Sequence, residues 1–290
     1  MKADEEPRGV LAGLRSRAVA LLRGSPHLSV GSVKHGVGHI VYELAHRPGR
    51  PLVVVFSGTD PEPARCRMSY YSFRDLLDCS VLHIADAFGA HGCYLLSVRR
   101  DRSILDTVAS IVRKVMDETD TPLEKVHLVG TSKGGTTAVC LALALGGGWC
   151  VAGEPQVRLG RYLLCEGWAS DPIRASVVYA MTGRLDERDR DYLDKLVLSS
   201  VWSGAETFRG HIEILCGRET GYMRDHIRHL VNAVPEASRA PWQLTPLEMV
   251  DHAEITTHFR RLMLERFGKP GASAGRAAGQ EVSPAPGADS

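Results

Sequence analysis

The sequence predicts an α/β fold in which a mostly parallel sheet is covered by helices on both faces. Short apolar runs, typical of strands buried on both sides, alternate with longer segments that have helical periodicity. Residues 51–56 form such a run, and residues 104–116 place apolar side chains every three or four positions. Strands that alternate with helices of this length predict a single α/β domain over residues 29–267.

The remaining elements follow the same alternation. Strands are expected at 39–44, 51–56, 81–85, 126–129, 149–152, 212–216 and 247–250, and helices at 104–116, 133–145, 173–181, 189–201, 223–234 and 254–267. Residues 7–23 have loose helical spacing and predict an amphipathic helix within an extension that covers residues 1–28. A helical cap is expected over 155–210. Residues 268–290 contain almost nothing that can be buried, which predicts a disordered tail.

Composition excludes several classes of function. The 35 Lys and Arg residues nearly balance the 34 Asp and Glu residues, so no net charge favours nucleic acid or an anionic membrane. No apolar run approaches the ~20 residues that span a bilayer, and the start of the chain lacks the pattern of a signal peptide. We therefore expect a cytoplasmic protein without a membrane span. The composition does not indicate an oligomeric state.

The cysteines and the sequence motifs predict no cofactor and no metal. Seven scattered cysteines without a Cys-x-x-Cys pair argue against a disulfide framework and a zinc site. No Walker A motif, dinucleotide-binding glycine pattern or His-Glu-x-x-His motif is present. His226 and His229 are three residues apart, but without a third ligand nearby they are better interpreted as helix-surface histidines.

The stretch from residue 126 to residue 135 carries the strongest chemical signal. It consists of a buried strand, the sequence Gly130-Thr-Ser132-Lys-Gly134, and a run that favours a helix. A serine in a Gly-x-Ser-x-Gly turn between a strand and a helix is typical of a nucleophile elbow, in which the hydroxyl is exposed above the sheet. The two glycines are expected because the turn leaves no room for side chains. The sequence therefore predicts Ser132 as a nucleophile.

The partners of Ser132 are expected in the order acid, then histidine, as in α/β hydrolases. Glu219 follows the strand at 212–216 and is the predicted acid, with Asp225 as the alternative. His252 follows the last predicted strand directly and is favoured over His258, which lies further into the C-terminal helix. In this scheme His252 takes the proton of Ser132, and Glu219 orients the imidazole.

Acyl transfer also needs hydrogen-bond donors for the oxyanion. The backbone N–H of Lys133, directly after the nucleophile, is one candidate. The second is expected in the loop after the strand at 51–56, where Ser57 and Gly58 stand; Gly58 permits a close approach of the backbone.

Beyond the elbow, further segments carry a resemblance to a known family. These are Ala152-Gly-Glu-Pro-Gln-Val-Arg-Leu-Gly160, Phe56-Ser-Gly58, Ser69-Tyr-Tyr71 and the region from Ile84 to Tyr94. Together with the elbow they resemble the bacterial capsular-polysaccharide XcbB/CpsF proteins and the related accessory-Sec component that O-acetylates glycans on adhesins. The resemblance covers residues 36–267. It implies an α/β-hydrolase fold and a Ser–Glu–His triad, which falls here on Ser132, Glu219 and His252.

The leading hypothesis is a serine-dependent acyl-ester hydrolase or O-acyltransferase that acts on a glycan or natural-product ester through an acyl-enzyme. Two alternatives remain open from the sequence. One is a non-catalytic binding or assembly module with the same fold, and the other is a thioesterase or peptidase that uses the same triad. The expected partner is a small-molecule or glycan acyl ester, not nucleic acid.

Overall fold

An eight-stranded sheet runs through the described part of the chain, residues 26–64 and 67–272 of a computed structural model. The strands are β1 (His27–His35), β2 (Gly38–His46), β3 (Leu52–Phe56), β4 (Ser80–Ala85), β5 (Val126–Thr131), β6 (Trp149–Gly153), β7 (His211–Gly217) and β8 (Trp242–Leu247). Their order in the sheet is β1-β2-β4-β3-β5-β6-β7-β8. β1 and β2 are antiparallel to their neighbours, and all later pairs are parallel.

Helices cover the sheet on both faces. They are α1 (Phe73–Leu76), α2 (Ser103–Thr119), α3 (Lys133–Leu145), α4 (Leu159–Leu163), α5 (Pro172–Thr182), α6 (Arg190–Gly204), α7 (Arg228–Ala233) and α8 (Ile255–Phe267). A single π-helical turn, Met223–Ile227, precedes α7. The segment predicted as a cap, 155–210, contains α4 to α6, and α6 packs against α3.

The alternation of side chains along the central strands divides the core into two layers. On one face Val53, Val55 and Val129 pack against Phe259 and Met263 of α8. On the other face the intervening side chains, such as Val54 and Leu128, pack against α2, α3 and α6. Every residue of β3 is buried, because helices cover both faces of the sheet at this strand. The prediction of an α/β fold is confirmed.

Two edge strands differ from the sequence-based expectation. β1 was not predicted, because it is an edge strand in which most side chains are exposed and the apolar alternation is weak. The last strand was expected at 247–250 but lies at Trp242–Leu247. This strand is also at an edge, is only partly buried and contains Pro246, which central strands exclude. The predicted helix at 7–23 and residues 273–290 of the predicted tail lie outside the described residues.

The sheet order brings the ends of several strands to one edge. β5 lies between β3 and β6, and β7 and β8 follow outward from β6. Because these strands are parallel, their carboxyl ends lie at the same edge of the sheet, where sites in open α/β sheets form. Gly58, Ser132, Glu154 and His252 all follow strands at this edge.

The turn after β5 requires glycine for steric reasons, as the sequence indicated. A Cβ atom on Gly134 would lie 2.4 Å from the backbone oxygen of Phe56, and one on Gly130 would lie 2.6 Å from the backbone carbon of Gly134. Neither neighbour is a flexible side chain that can move aside. The first turn of α3 therefore packs directly on the end of β3.

We expect Gly134→Ala to destabilise the protein by about 1–3 kcal/mol or more, because the added methyl group overpacks a contact between backbones. Gly221→Ala is the matched control. Gly221 is exposed and its added Cβ would meet nothing closer than 3.4 Å, so the change should stay within about 0.5 kcal/mol. Urea unfolding of the two variants measures both values, and equal free energies of unfolding would contradict the close approach.

Candidate active site

Ser132 lies between β5 and α3 in a strained backbone conformation. Its φ is 54° and its ψ is −123°, a region that residues with a side chain seldom adopt. The backbone N–H of Ser132 donates to Gly153 at 2.8 Å, which holds the turn against β6. The side chain is half-buried. This is the conformation that a nucleophile elbow imposes on its serine.

A buried carboxylate binds the imidazole of His252. Glu154 follows β6, is fully buried, and accepts a hydrogen bond at 2.6 Å from Nδ1–H of His252 through Oε2. Its other oxygen, Oε1, accepts from the hydroxyl of Thr220 at 2.5 Å and from the backbone N–H of Gly217 at 3.1 Å. With Nδ1 committed to Glu154, Nε2 is the ring nitrogen that can take a proton.

The donors around Glu154 keep it ionised. Burial alone raises the pKa of this carboxyl group, but the hydrogen bonds from His252, Thr220 and Gly217 outweigh it and hold the pKa below its usual value. Glu154 also has a positive φ of 42°. Strain of this kind in a residue that is not glycine often marks a functional site.

The structure places the predicted acid elsewhere. Glu219 is exposed on the loop after β7, and the carboxylate that contacts His252 is that of Glu154. The physical reason is that Gly217, at the end of β7, and Thr220, in the loop that follows, donate hydrogen bonds to Glu154 at the end of the neighbouring strand β6. The alternative acid, Asp225, pairs with Arg224. His252 is the predicted histidine, and it is the one bound to the buried carboxylate.

Glu154 is not among the acids predicted from the sequence, although the sequence contains a signal for it. It directly follows a buried strand, as Ser132 does, and β6 is the neighbour of β5. In the usual chain order of α/β hydrolases the acid follows a later strand, and this order favours β7 over β6.

A buried amide connects Ser132 to the ring that covers His252. Nε2 of Gln156 donates to Oγ of Ser132 at 3.0 Å and to the hydroxyl of Tyr222 at 3.3 Å. The ring of Tyr222 is stacked on that of His252, with 4.1 Å between the centroids and 3° between the planes. Ser132, Gln156, Tyr222, His252 and Glu154 therefore form one continuous cluster at the carboxyl edge of the sheet.

The predicted oxyanion donors differ in whether they already have a hydrogen-bond acceptor. Lys133 is the first residue of α3, so its N–H has no acceptor within the helix. The N–H of Gly58 donates to Oγ of Ser69 at 2.9 Å. The hydroxyl of Ser57 donates to the backbone oxygen of Ile84 at 3.3 Å. Lys133 and the loop at Ser57 and Gly58 thus stay predictions as oxyanion donors.

The side chain of Lys133 forms a buried ion pair behind the elbow. Its Nζ lies 2.9 Å from Oδ2 of Asp86, and both side chains are almost inaccessible, at 2% and 3% exposed. Asp86 also accepts two hydrogen bonds from the backbone N–H of Cys93. A Cβ on Gly92 would lie 2.2 Å from Nζ of Lys133. The pair ties the loop after β4 to the residue that follows the nucleophile.

His226 is buried behind the cluster and is neutral at pH 7. Its Nδ1 accepts hydrogen bonds from the backbone N–H groups of Val157 and Arg158 at 3.1 and 3.3 Å. Burial lowers the pKa of His226 from 6.5 to about 4. A neutral His226 therefore supports the segment that carries Gln156. The interpretation of His226 as a helix-surface histidine is therefore wrong, because the segment after β6 packs over its ring.

Neither a metal cluster nor a membrane span is present among the described residues. No group of three or more His, Cys, Asp or Glu side chains in residues 26–64 and 67–272 is arranged to hold a metal ion. Within the same ranges, no helix has the length and apolar character needed to cross a membrane.

Comparison with known proteins identifies the fold. No family model matches the chain, and no curated protein matches it in sequence. The capsule O-acetyltransferase of Neisseria meningitidis serogroup A, solved with caged gadolinium, superposes with a TM-score of 0.64 and 19% identity. The match covers 82% of this chain and 93% of that one.

Two further structures have the same fold. The glycosylation-associated protein complex Gap123 from Streptococcus agalactiae matches with a TM-score of 0.62 and 16% identity, over 81% of this chain and 46% of that one. FphF, a fluorophosphonate-binding serine hydrolase of Staphylococcus aureus, matches with a TM-score of 0.52 and 12% identity, over 83% of this chain and 98% of that one. The expected α/β-hydrolase fold is confirmed, and the proteins that share it include the two kinds that the sequence resembles.

Acid should destabilise the protein partly through His226. Because the pKa of His226 is about 4 in the folded protein and about 6.5 in the unfolded chain, the unfolded chain binds the proton more tightly. Stability is then fully present above pH 6.5 and is lost as pH falls towards 4. His226→Asn keeps a hydrogen-bond acceptor but does not titrate, so it should lose about 3 kcal/mol less than wild type over this window.

Urea unfolding at several pH values between 4 and 7 measures the difference. His83 and His127 also have pKa values of about 4, so the variant should keep part of the acid sensitivity. Parallel pH profiles of wild type and His226→Asn would contradict a buried neutral imidazole.

Proposed function

We propose that this protein is a serine-dependent acyl-ester hydrolase or O-acyltransferase with Ser132 as nucleophile, His252 as base and Glu154 as the acid that orients the base. The observation that carries the proposal is the continuous cluster from Ser132 to the buried Glu154–His252 pair. A strained serine, a histidine with one nitrogen committed and a buried carboxylate are the three parts that nucleophilic acyl transfer needs.

The reaction proceeds in two half-reactions. In the first, His252 takes the hydroxyl proton as Ser132 Oγ bonds to the acyl carbon, and the leaving oxygen then departs with that proton. In the second, His252 takes a proton from water or from an acceptor hydroxyl, which attacks the acyl-enzyme, and Ser132 leaves with the proton restored. Glu154 remains ionised and stabilises the charged imidazole in both.

The cost of burying Glu154 argues against a non-catalytic binding module. An ionised carboxylate is expensive to bury, and this one is compensated by Thr220, Gly217 and the nitrogen of His252. A fold that only bound a partner would gain nothing from this arrangement around a half-buried serine.

An oxygen ester on a glycan or a natural product is the substrate class that we propose. Two of the structures that share the fold are named as a capsule O-acetyltransferase and as a glycosylation-associated protein complex. Fluorophosphonate-binding and ferulic acid esterase proteins also share it. The thioesterase and peptidase alternatives have no specific observation in their favour.

The test is intact-mass analysis after reaction with a fluorophosphonate and, separately, with p-nitrophenyl acetate. We expect one phosphonyl adduct and a transient acetyl adduct on wild type, and neither on Ser132→Ala. Ser97→Ala is the matched control, because the buried hydroxyl of Ser97 bonds to Met181 and Tyr192 and not to the cluster around Ser132; it should still be labelled. A wild type that forms no adduct with either reagent would overturn the proposed function.

Substituting each candidate acid with glutamine should show which of the two contributes to catalysis. Glu154→Gln should lower kcat/KM for p-nitrophenyl acetate by about 10³- to 10⁴-fold, because the amide no longer compensates the charged imidazole. Glu219→Gln should leave kcat/KM within about twofold, because its side chain lies in solvent. Steady-state kinetics decide between them, and a large loss in Glu219→Gln with none in Glu154→Gln would reverse the assignment.

A further inference from the structure

Gln156 contacts Ser132 from the segment after β6, whereas the predicted oxyanion loop at Ser57 and Gly58 lies on the other side of β5. β5 is flanked by β3 on one side and by β6 on the other. The predicted oxyanion loop follows β3, whereas Gln156 follows β6. Its Nε2 donates directly to Oγ of Ser132 at 3.0 Å. The amide is therefore placed to act on the nucleophilic oxygen itself.

Every polar atom of this amide has a partner. The hydroxyl of Tyr94 donates to Oε1 of Gln156 at 2.5 Å, and Nε2 faces Ser132 and Tyr222. Burial raises the pKa of Tyr94 well above its usual value, which keeps this hydroxyl protonated and donating. The buried amide therefore has a hydrogen-bond partner for its oxygen and two for its nitrogen.

The backbone of Gln156 is bound to the elbow as well. Its N–H donates to Oγ1 of Thr136 at 2.8 Å, and its carbonyl oxygen lies 2.8 Å from the same hydroxyl. Thr136 belongs to the first turn of α3, directly after Ser132. Gln156 is 1% exposed. Side chain and backbone are thus both held before any substrate binds, which is the preorganisation that electrostatic catalysis requires.

We propose that Gln156 is a further catalytic residue, whose Nε2–H stabilises the negative charge that develops on Ser132 Oγ. This inference rests on the proposed function. In the first half-reaction Oγ becomes more negative as its proton moves to His252, until the new bond to the acyl carbon takes up its electron pair and the charge passes to the carbonyl oxygen. In the second, the bond between Oγ and the acyl carbon breaks and the electron pair returns to Oγ before the proton does. A donor fixed on Oγ lowers both barriers, because its hydrogen bond is strongest when the oxygen is anionic.

The first test measures charge stabilisation without requiring turnover. In Ser132→Cys the introduced thiol takes the place of the hydroxyl, and its alkylation by iodoacetamide as a function of pH gives its pKa. Adding Gln156→Met removes the donor at similar volume. We expect the pKa of the introduced thiol to rise by about 1 in the double variant, because the thiolate loses a hydrogen bond. An unchanged pKa would overturn the inference.

The second test measures both half-reactions in the otherwise unchanged enzyme. Relative to wild type, Gln156→Met should slow phosphonylation by a fluorophosphonate and breakdown of the acetyl-enzyme by about 10- to 100-fold each. Gln156→Glu keeps the shape of the side chain but replaces the donor with an oxygen, and it should lose as much. If circular dichroism shows that Gln156→Met does not fold, the same two rates are measured on Gln156→Glu.

The matched control is Ser97→Ala. Ser97 is also fully buried and its hydroxyl bonds to Met181 and Tyr192, so the variant loses a buried hydrogen bond away from Ser132 and should react at the wild-type rate. If wild type is labelled, Ser132→Ala is not, and the Gln156 variants react as fast as wild type, the role of Gln156 fails alone. If wild type is not labelled, the proposed function fails.

Discussion

The buried carboxylate of Glu154 is the constraint on which the site depends. A charge placed at the end of a central strand, away from water, must be compensated by hydrogen bonds and an opposite charge. Here the compensation comes from two separate segments: the end of β7 and the turn after it contribute Gly217 and Thr220, and the segment after β8 contributes His252. The hydrogen bonds to this one carboxylate therefore fix the segments after β7 and β8 relative to β6. They also fix the position of His252 at the edge of the sheet.

A second buried charge organises the other side of the nucleophile. Lys133 and Asp86 form an ion pair that is almost inaccessible to solvent, and the loop that carries Asp86 leads to Tyr94, whose hydroxyl donates to the amide of Gln156. Buried polar groups thus lie both at the residue after Ser132 and at its hydroxyl. Because a half-satisfied polar network is costlier than an apolar one, such a site has few alternative arrangements of similar free energy.

The central strands and the elbow are predictable from the sequence because their signals are local. The valine run of β3 indicates a buried strand, and the glycines around Ser132 indicate a turn without room for side chains. Each of these signals can be recognised within its own short segment. The acid is different, since Glu154 and Glu219 both follow buried strands and look alike in the sequence. They differ in their surroundings: Glu154 accepts hydrogen bonds from Gly217 and Thr220, which are 63 and 66 residues further along the chain, whereas Glu219 is exposed. These contacts depend on tertiary structure. β1 was missed because an exposed edge strand has little apolar pattern to detect.

The position of β8 has a consequence for how the protein fails on heating. His252 follows the strand at the outer edge of the sheet, and this strand pairs on one side with β7 alone, whereas Ser132 follows a strand held on both sides. Edge elements open at a lower free energy than the global transition. Fraying of β8 would withdraw the base while the nucleophile stayed in place, so inactivation is expected at temperatures where the core is still folded, and an inactive sample need not be a denatured one.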